Sequence, residues 1–594
     1  MEQLELNGSF DLKSPTIPII ILKAFCMVSP NSVISHLKTL HPYLQSQKTD
    51  FESGLVYQNV AHIVQNLVPL LKNEDKKFLD SLTQDLMKLL YSQGMPVIQS
   101  CTQAICEIVN LTRNFNLVEN IYQNFFNYLQ KVQLKSKEEQ NTAQLSIIRA
   151  LFILGQVCKN HKFYKAQGAN PKTKDPHDDH IEKVFKQYLY FIEHENMSIR
   201  VVALMGLVML FGPYPTFIGR AESIMWNCLS ATSHVRLRTQ ILVSFLELMK
   251  EESECMHTSA QENIKNSQNS DTSHVNYING EKGASTTIIT KFFSKILEQF
   301  LDTNPNIRLL AVNLVNYVLK KRYIHPVQCI EHMLALTTDQ VKVVSDRAFV
   351  GLTTIVQHDA KLVLNRIRSG TLFSYKFQMD VFGVSRATVA SHDGSESVFG
   401  RIYSLFKNKT EKHNFLSVLA HLFTDSENTH FLSYLSSLIA SLHFSFQDEV
   451  LCIYHQLVDL IKSSGAVLIS QLDSSMEKSP LQLSPKQAKL LTSTLYALNL
   501  KCYLSTLYDT KQPLKENKPK PVQSKGVTMS PEETLLLLNQ NIPEDPTNSK
   551  IDQIYAKFKE QMGDVDLGME GSLGKRKRSL LSDLSPRKKR IEIK

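Results

Sequence analysis

IRLLAVNLVNYVLKKRYIHPVQCIEHMLALTTD, residues 307–339, is the stretch that decides the fold. Its first half sets Leu309, Val312, Leu314, Val315, Val318 and Leu319 at steps of three and four, which places them on one stripe of a helix. Lys320-Lys321-Arg322 then ends that helix with positive charge, the sign that suits a carbonyl terminus. His325-Pro326 follows, closing one structural unit and starting the next.

The opening of this stretch recurs. Ile307-Arg308-Leu309-Leu310-Ala311 has a close counterpart in Ile199-Arg200-Val201-Val202-Ala203. Weaker counterparts are Val235-Arg236-Leu237-Arg238-Thr239 and Val341-Lys342-Val343-Val344-Ser345. The starts fall at 199, 235, 307 and 341, so successive steps are 36, 72 and 34 residues, and the middle step spans two periods. An apolar residue, a basic residue, two spacers and a small residue often begin the second helix of a HEAT unit. The small residue lets paired helices approach, and the basic one reaches across to a neighbouring repeat's turn carbonyls or acidic side chain. Each pair leaves an apolar face that only the next pair covers. Val60, Ile63, Val64, Leu67 and Leu71 carry the same helical spacing, and period-two alternation hardly occurs. The expected fold is all-α: a HEAT-repeat α-solenoid.

Punctuation along the chain divides it further. N-terminal helices are expected over 1–50 and repeats over 51–250, with a Lys-, Asp- and Pro-rich loop at 160–180. Residues 251–285 are too polar to bury anything and read as a disordered insertion. C-terminal repeats follow over 286–505, then a basic, Pro-punctuated linker over 506–531. A last helical segment over 532–562 and a disordered basic tail over 563–594 complete the chain.

Charge and composition narrow the function. The 594 residues carry a net charge of +9. The last 24 residues hold nine Lys/Arg against Asp583 and Glu592, which leaves the preceding body nearly neutral. Nine scattered Cys without a CxxC fit reduced thiols of an intracellular protein. Glu2, Glu5 and Asp11 precede the first apolar run, unlike a signal peptide. The apolar run from Val201 is broken by Gly212-Pro213-Tyr214-Pro215, so it reads as a buried helix and no membrane span is expected.

A search for chemistry finds no phosphate-cradling, zinc-helix or nucleophile-elbow motif, and neither a catalytic site nor a cofactor is expected. His177-Asp178-Asp179-His180 reads as the charged start of a helix over 181–193 rather than a metal site. Trp226, the only tryptophan, reads as core. The sharpest local signal is the tail, with Lys575-Arg576-Lys577-Arg578 and Arg587-Lys588-Lys589-Arg590 eight residues apart. That bipartite spacing suits an importin groove and therefore nuclear import; the same charges would also suit DNA phosphates. Ser585-Pro586 lies between the clusters, and phosphorylation at Ser585 would oppose them with about −1.5 to −2 charge. Candidate DNA contacts in the body are Arg236 and Arg238 in a repeat turn, and Lys320, Lys321 and Arg322 at a helix end.

Several stretches carry a resemblance: GLVYQNVA from Gly54 with the following VQNLVPLL, DLMKLLYSQGMPVIQSCTQAI over 85–105, and most specifically residues 307–339 with their Tyr323–Cys329 segment. In these the chain resembles the C-terminal HEAT region of the Nipped-B family, the sister chromatid cohesion loaders, over roughly residues 40–505. The resemblance implies a hook-shaped nuclear, chromatin-bound scaffold that contacts the cohesin ATPase heads and kleisin. Such a scaffold clamps double-stranded DNA against them, stimulates their ATP hydrolysis, and so supports cohesin loading, sister cohesion and DNA repair. It implies no enzyme activity of the chain's own. Family members also carry a long N-terminal region that binds a TPR-type partner subunit. This chain begins at Met1 close to its repeats, as a short form or truncated gene model would, so that partner is not carried over. The competing reading is an importin-like HEAT or armadillo transport carrier, which should be acidic and has no need of a basic tail of its own.

Overall fold

The structure is a computed structural model, and it describes residues 15–46, 48–71, 76–161, 176–266, 283–391, 394–425, 428–473, 483–510, 521–522, 524–525, 529–540, 542 and 551–567. The chain divides into two units. The first, Met1–Gln299, contains α1 (Thr16–Val28), α2 (Leu37–Leu40), α3 (Pro42–Gln45), α4 (Phe51–Leu67), α5 (Lys76–Ser92), α6 (Met95–Thr112), α7 (Phe115–Gln133) and α8 (Lys137–Thr142). It continues through α9 (Gln144–Asn160), α10 (Pro176–Ile192), α11 (Met197–Phe211), α12 (Thr216–Arg220), α13 (Glu222–Leu229), α14 (Val235–Asn266) and α15 (Ala284–Glu298).

The second unit, Phe300–Lys594, contains α16 (Pro305–Lys320), α17 (Ile330–Leu336), α18 (Lys342–His358), α19 (Ala360–Leu364) and α20 (Ile367–Phe382). A hairpin of β1 (Thr388–Ser391) and β2 (Gly394–Ser397) precedes α21 (Gly400–Leu405), α22 (Lys409–Asp425), α23 (Thr429–Ala440) and α24 (Gln447–Asp473). α25 (Pro485–Leu507), α26 (Pro531–Leu538) and α27 (Ile551–Leu567) follow.

Local chemistry sets the helix starts. The Asp50 carboxylate accepts the Ser53 N–H at 2.7 Å ahead of α4, and the Asn304 side chain accepts the Asn306 N–H at 2.9 Å ahead of α16. Ser484 with Gln487 and Ser530 with Glu533 form reciprocal caps on α25 and α26. Proline occupies the first turn of α6, α16, α25 and α26, where its missing N–H costs no helix bond.

Stacking then builds each core, giving the expected all-α solenoid of HEAT-type pairs. In the first unit α4, α6, α9, α11 and α14 pack in succession. α9 and α11 are parallel, since Gln144 and Asn196 are bonded at 3.0 Å near their starts while Gln156 and Met209 meet near their ends. They approach through Gly155 and Gly206, and Tyr188 of α10 fills the space a side chain would need. A Cβ at Gly206 would sit 2.3 Å from the Tyr188 ring, whose hydroxyl donates to the Leu151 carbonyl at 2.9 Å. In the second unit, α17 and α20 meet at Gly370, against Leu334.

Four differences from the sequence reading stand out. The β1–β2 hairpin, paired from Thr388↔Ser397 to Ser391↔Gly394, breaks the all-helical run. α14 runs to Asn266, well into the segment read as a disordered insertion; residues 267–282 lie outside the described residues. The physical reason is that polarity argues against burial, whereas an existing helix extends at little cost. α10 begins at Pro176, inside the 160–180 stretch read as a loop. Finally, the segment read as one helix over 532–562 is two, α26 and α27; the sequence between them holds Pro543 and Pro546, a residue type disfavoured in helix interiors, and 543–550 lie outside the described residues. The basic linker expected over 506–531 is only partly described: isolated bridges pair Tyr508 with Ser524 and Phe446 with Pro521. Among the described residues no helix is long and apolar enough to cross a membrane.

Candidate interaction surface

The repeat motif explains the two strongest basic positions as packing devices. Arg200 donates from Nε to the Ile192 carbonyl at 2.8 Å, tying the start of α11 to the end of α10. Arg308 is buried, and so is Asp339, its partner in the turn between α17 and α18. Their contact is bidentate, with Arg308 Nε and Nη2 donating to Asp339 Oδ2 at 2.7 Å and Oδ1 at 2.9 Å. Arg308 Nη1 also donates to the Asp302 carbonyl at 2.8 Å and the Thr303 carbonyl at 3.1 Å. Its guanidinium lies 5.4 Å from the Phe382 ring centre. Asp339 Oδ1 accepts the Val341 N–H at 2.8 Å as well, so one carboxylate fixes two successive repeats. Of the four motif matches, the two strong ones bury both their Ile and their Ala, whereas Val235 and Val341 of the weak ones are each 37% exposed.

The candidate DNA contacts divide. Arg236 is exposed in the first turn of α14. Arg238 is buried at 7% exposure, which corrects its assignment: two positions on along the helix, its side chain turns toward the core instead of meeting a phosphate. Lys320 and Arg322 are exposed, and the half-buried Lys321 lies 5.8 Å over the Tyr317 ring. Arg322 has φ +59, and the Tyr323 N–H reaches back to the Val318 carbonyl at 3.1 Å, so the run Lys320–Arg322 forms a left-handed helix end. The adjacent 3-10 turn Pro326–Gln328 packs against α19, which carries an exposed Lys361. Lys320 and Arg322 make no ion pair among the described residues, so the α16 end carries two exposed cations. Arg236 belongs to the first unit and the α16 end to the second.

Other sequence candidates fall as follows. The tail residues Lys575–Arg578, Arg587–Arg590 and Ser585 lie outside the described residues. Asp179 and His180 sit in the first turn of α10, where Asp179 pairs with Lys183 at 2.6 Å and the His180 ring stacks on Tyr122 at 4.8 Å. Lys183 holds the Asp179 carboxyl below the usual range. Trp226 is 38% exposed rather than core, and Lys295 lies 5.1 Å over its ring.

Fold and surface together define a helical-repeat scaffold of the HEAT class, whose buried polar bridges serve packing and whose cations face solvent at helix ends. Residues 285–460 match the family described as sister chromatid cohesion C-terminus, Nipped-B_C. The chain is 26% identical over 481 residues to Nipped-B-like protein B of Danio rerio, covering 78% of this chain and 16% of that protein. It is 26% identical over 476 residues to Nipped-B-like protein of Homo sapiens, covering 77% of this chain and 17% of that one. A C-terminal fragment of the Chaetomium thermophilum cohesin loader SCC2 has the same fold, with TM-score 0.66 at 14% identity over 94% of this chain and 39% of that one. The resemblance to the Nipped-B family of sister chromatid cohesion loaders thus extends over most of the chain. The chain spans about a sixth of the length of these two curated relatives.

Proposed function

We propose that this chain is a cohesin-loading factor: a HEAT scaffold that binds cohesin and DNA and stimulates the cohesin ATPase without hydrolysing ATP itself. The observation that carries the reading is the similarity to Nipped-B-type proteins over more than three quarters of the chain. In this reading the repeats grip the ATPase heads and kleisin, and exposed cations hold duplex DNA against them. Binding energy from both partners then stabilises the arrangement of heads that hydrolyses ATP. The result is loading on chromatin, with sister cohesion and repair depending on it.

Arg236, Lys320, Lys321, Arg322 and Lys361 are the body residues best disposed for phosphate contact. Each contact would release counterions and steepen the salt dependence by about 0.9 in log–log slope. The tail serves as a nuclear address read by importin, and phosphorylation at Ser585 weakens that binding by setting a dianion between the two clusters.

The test is ATP hydrolysis by purified cohesin with DNA, in the presence of the full chain or of a version ending at Glu570. Stimulation by both establishes loader activity and leaves the tail as an address. Stimulation by the full chain alone makes the tail part of the DNA clamp. No stimulation, together with no cohesin retained in a pull-down, overturns the reading.

A further inference from the structure

In the first unit, α6, α9, α11 and α14 together line a groove of about 210 Å³. Phe152, Met205, Met209 and Leu248 give it an apolar floor. Met205 and Met209 stand one turn apart and remain partly exposed, whereas Leu204, Leu207 and Leu210 of the same helix are sealed in the core. α11 therefore has a second apolar face, only partly covered by α9. Methionine is unbranched and polarisable, and suits side chains of varied shape.

The rim is asymmetric in charge. Glu247 and Glu251 stand on α14 and Lys159 on α9. Lys159 Nζ is 2.6 Å from Glu251 Oε2, which occupies that cation. The exposed Glu247 makes no ion pair among the described residues. Gly212 lines the α11 end of the groove, and a Cβ there would meet no atom within 4 Å. Its φ of −59 is one that any residue adopts.

We propose that this groove docks a short protein segment that inserts one bulky aliphatic side chain against Met205 and Met209 and sets a Lys or Arg beside Glu247. The volume suits a single anchoring side chain and is below the ~300–1,000 Å³ of pockets that enclose small molecules. An acidic rim disfavours nucleic acid, so the charge complementarity selects a basic-flanked peptide. This surface is separate from the cationic positions assigned to DNA and does not depend on the loader reading.

Fluorescence anisotropy on the full chain tests it without cohesin. The probe is a labelled Ser/Gly peptide with one central Leu flanked by Lys, compared with versions having Ala in place of Leu or Glu in place of Lys. The Leu/Lys peptide is expected to bind about tenfold or more tightly than the Ala version, the value of one buried aliphatic anchor. Gly212→Leu should plug the α11 end and abolish binding while thermal melting stays unchanged. Glu247→Lys, at an exposed position that does not threaten folding, should reverse the preference toward the Glu-flanked peptide. Equal affinity for the Leu and Ala peptides, no binding of either, or an unchanged preference in Glu247→Lys overturns the proposal.

Discussion

Removing either member of the Arg308–Asp339 bridge strands a charge where its partner donated or accepted two bonds, in a site with almost no solvent contact. Asp339→Ala or Arg308→Leu is therefore expected to cost about 3–5 kcal/mol, read as a lower urea midpoint. The double variant Arg308→Met/Asp339→Leu should cost less than either single one, because no charge is then left unpaired. Gly206→Ala is opposed by sterics: the gain of about 1 kcal/mol in helix propensity is outweighed by a Cβ 2.3 Å from the Tyr188 ring. Net destabilisation of about 1–3 kcal/mol is expected, and a smaller residue at Tyr188 should recover part of it. Thiol reactivity divides by burial. Cys255 and Cys502 are exposed and should label first with an aromatic disulfide reagent. Burial pushes the Cys106 and Cys329 thiols up to about 12, so these should react only on unfolding.

At the scale of elements, Arg322 marks a helix end that glycine would serve better. An L-residue at φ +59 carries a penalty of roughly 1 kcal/mol, so Arg322→Gly should raise stability by a comparable amount. If this residue also contacts DNA, the same variant should lower DNA affinity, and the two opposite changes would separate its roles. The extension of α14 has a concrete anchor: the Glu252 carboxylate accepts the Ser285 N–H at 2.8 Å, capping α15 from another helix. Glu252→Ala should cost about 1 kcal/mol and speed amide exchange in the first turn of α15. Sequence periodicity announced α16 through its apolar stripe, but it missed the hairpin. Asp393-Gly394 was the only local turn signal there, and four-residue strands are too short for alternation to stand out from chance.

At the scale of the whole molecule, the charge separation between a near-neutral body and a basic tail predicts a separable address. Replacing Lys575–Arg578 and Arg587–Arg590 by Ala should lower nuclear accumulation of a tagged chain while leaving its melting temperature unchanged. Ser585→Asp should weaken importin binding. Period, small residues and the Ile-Arg motif determined the all-α repeat class by themselves, because a helix buries one stripe and a repeat buries its neighbour, and both demands are local in sequence. The motif foretold that Arg308 reaches an acidic side chain in the next repeat's turn, Asp339, whereas the carbonyls that Arg200 and Arg308 reach lie just before their own helices. What spacing did not decide was exposure. Arg236 and Arg238 are alike in sequence, yet one is exposed and the other buried. Glu247 reaches the methionine-lined groove only after packing sets α14 beside α9 and α11. A one-dimensional pattern fixes which face of a helix is apolar; which charges share a surface depends on helix crossings, and only the tertiary structure sets those.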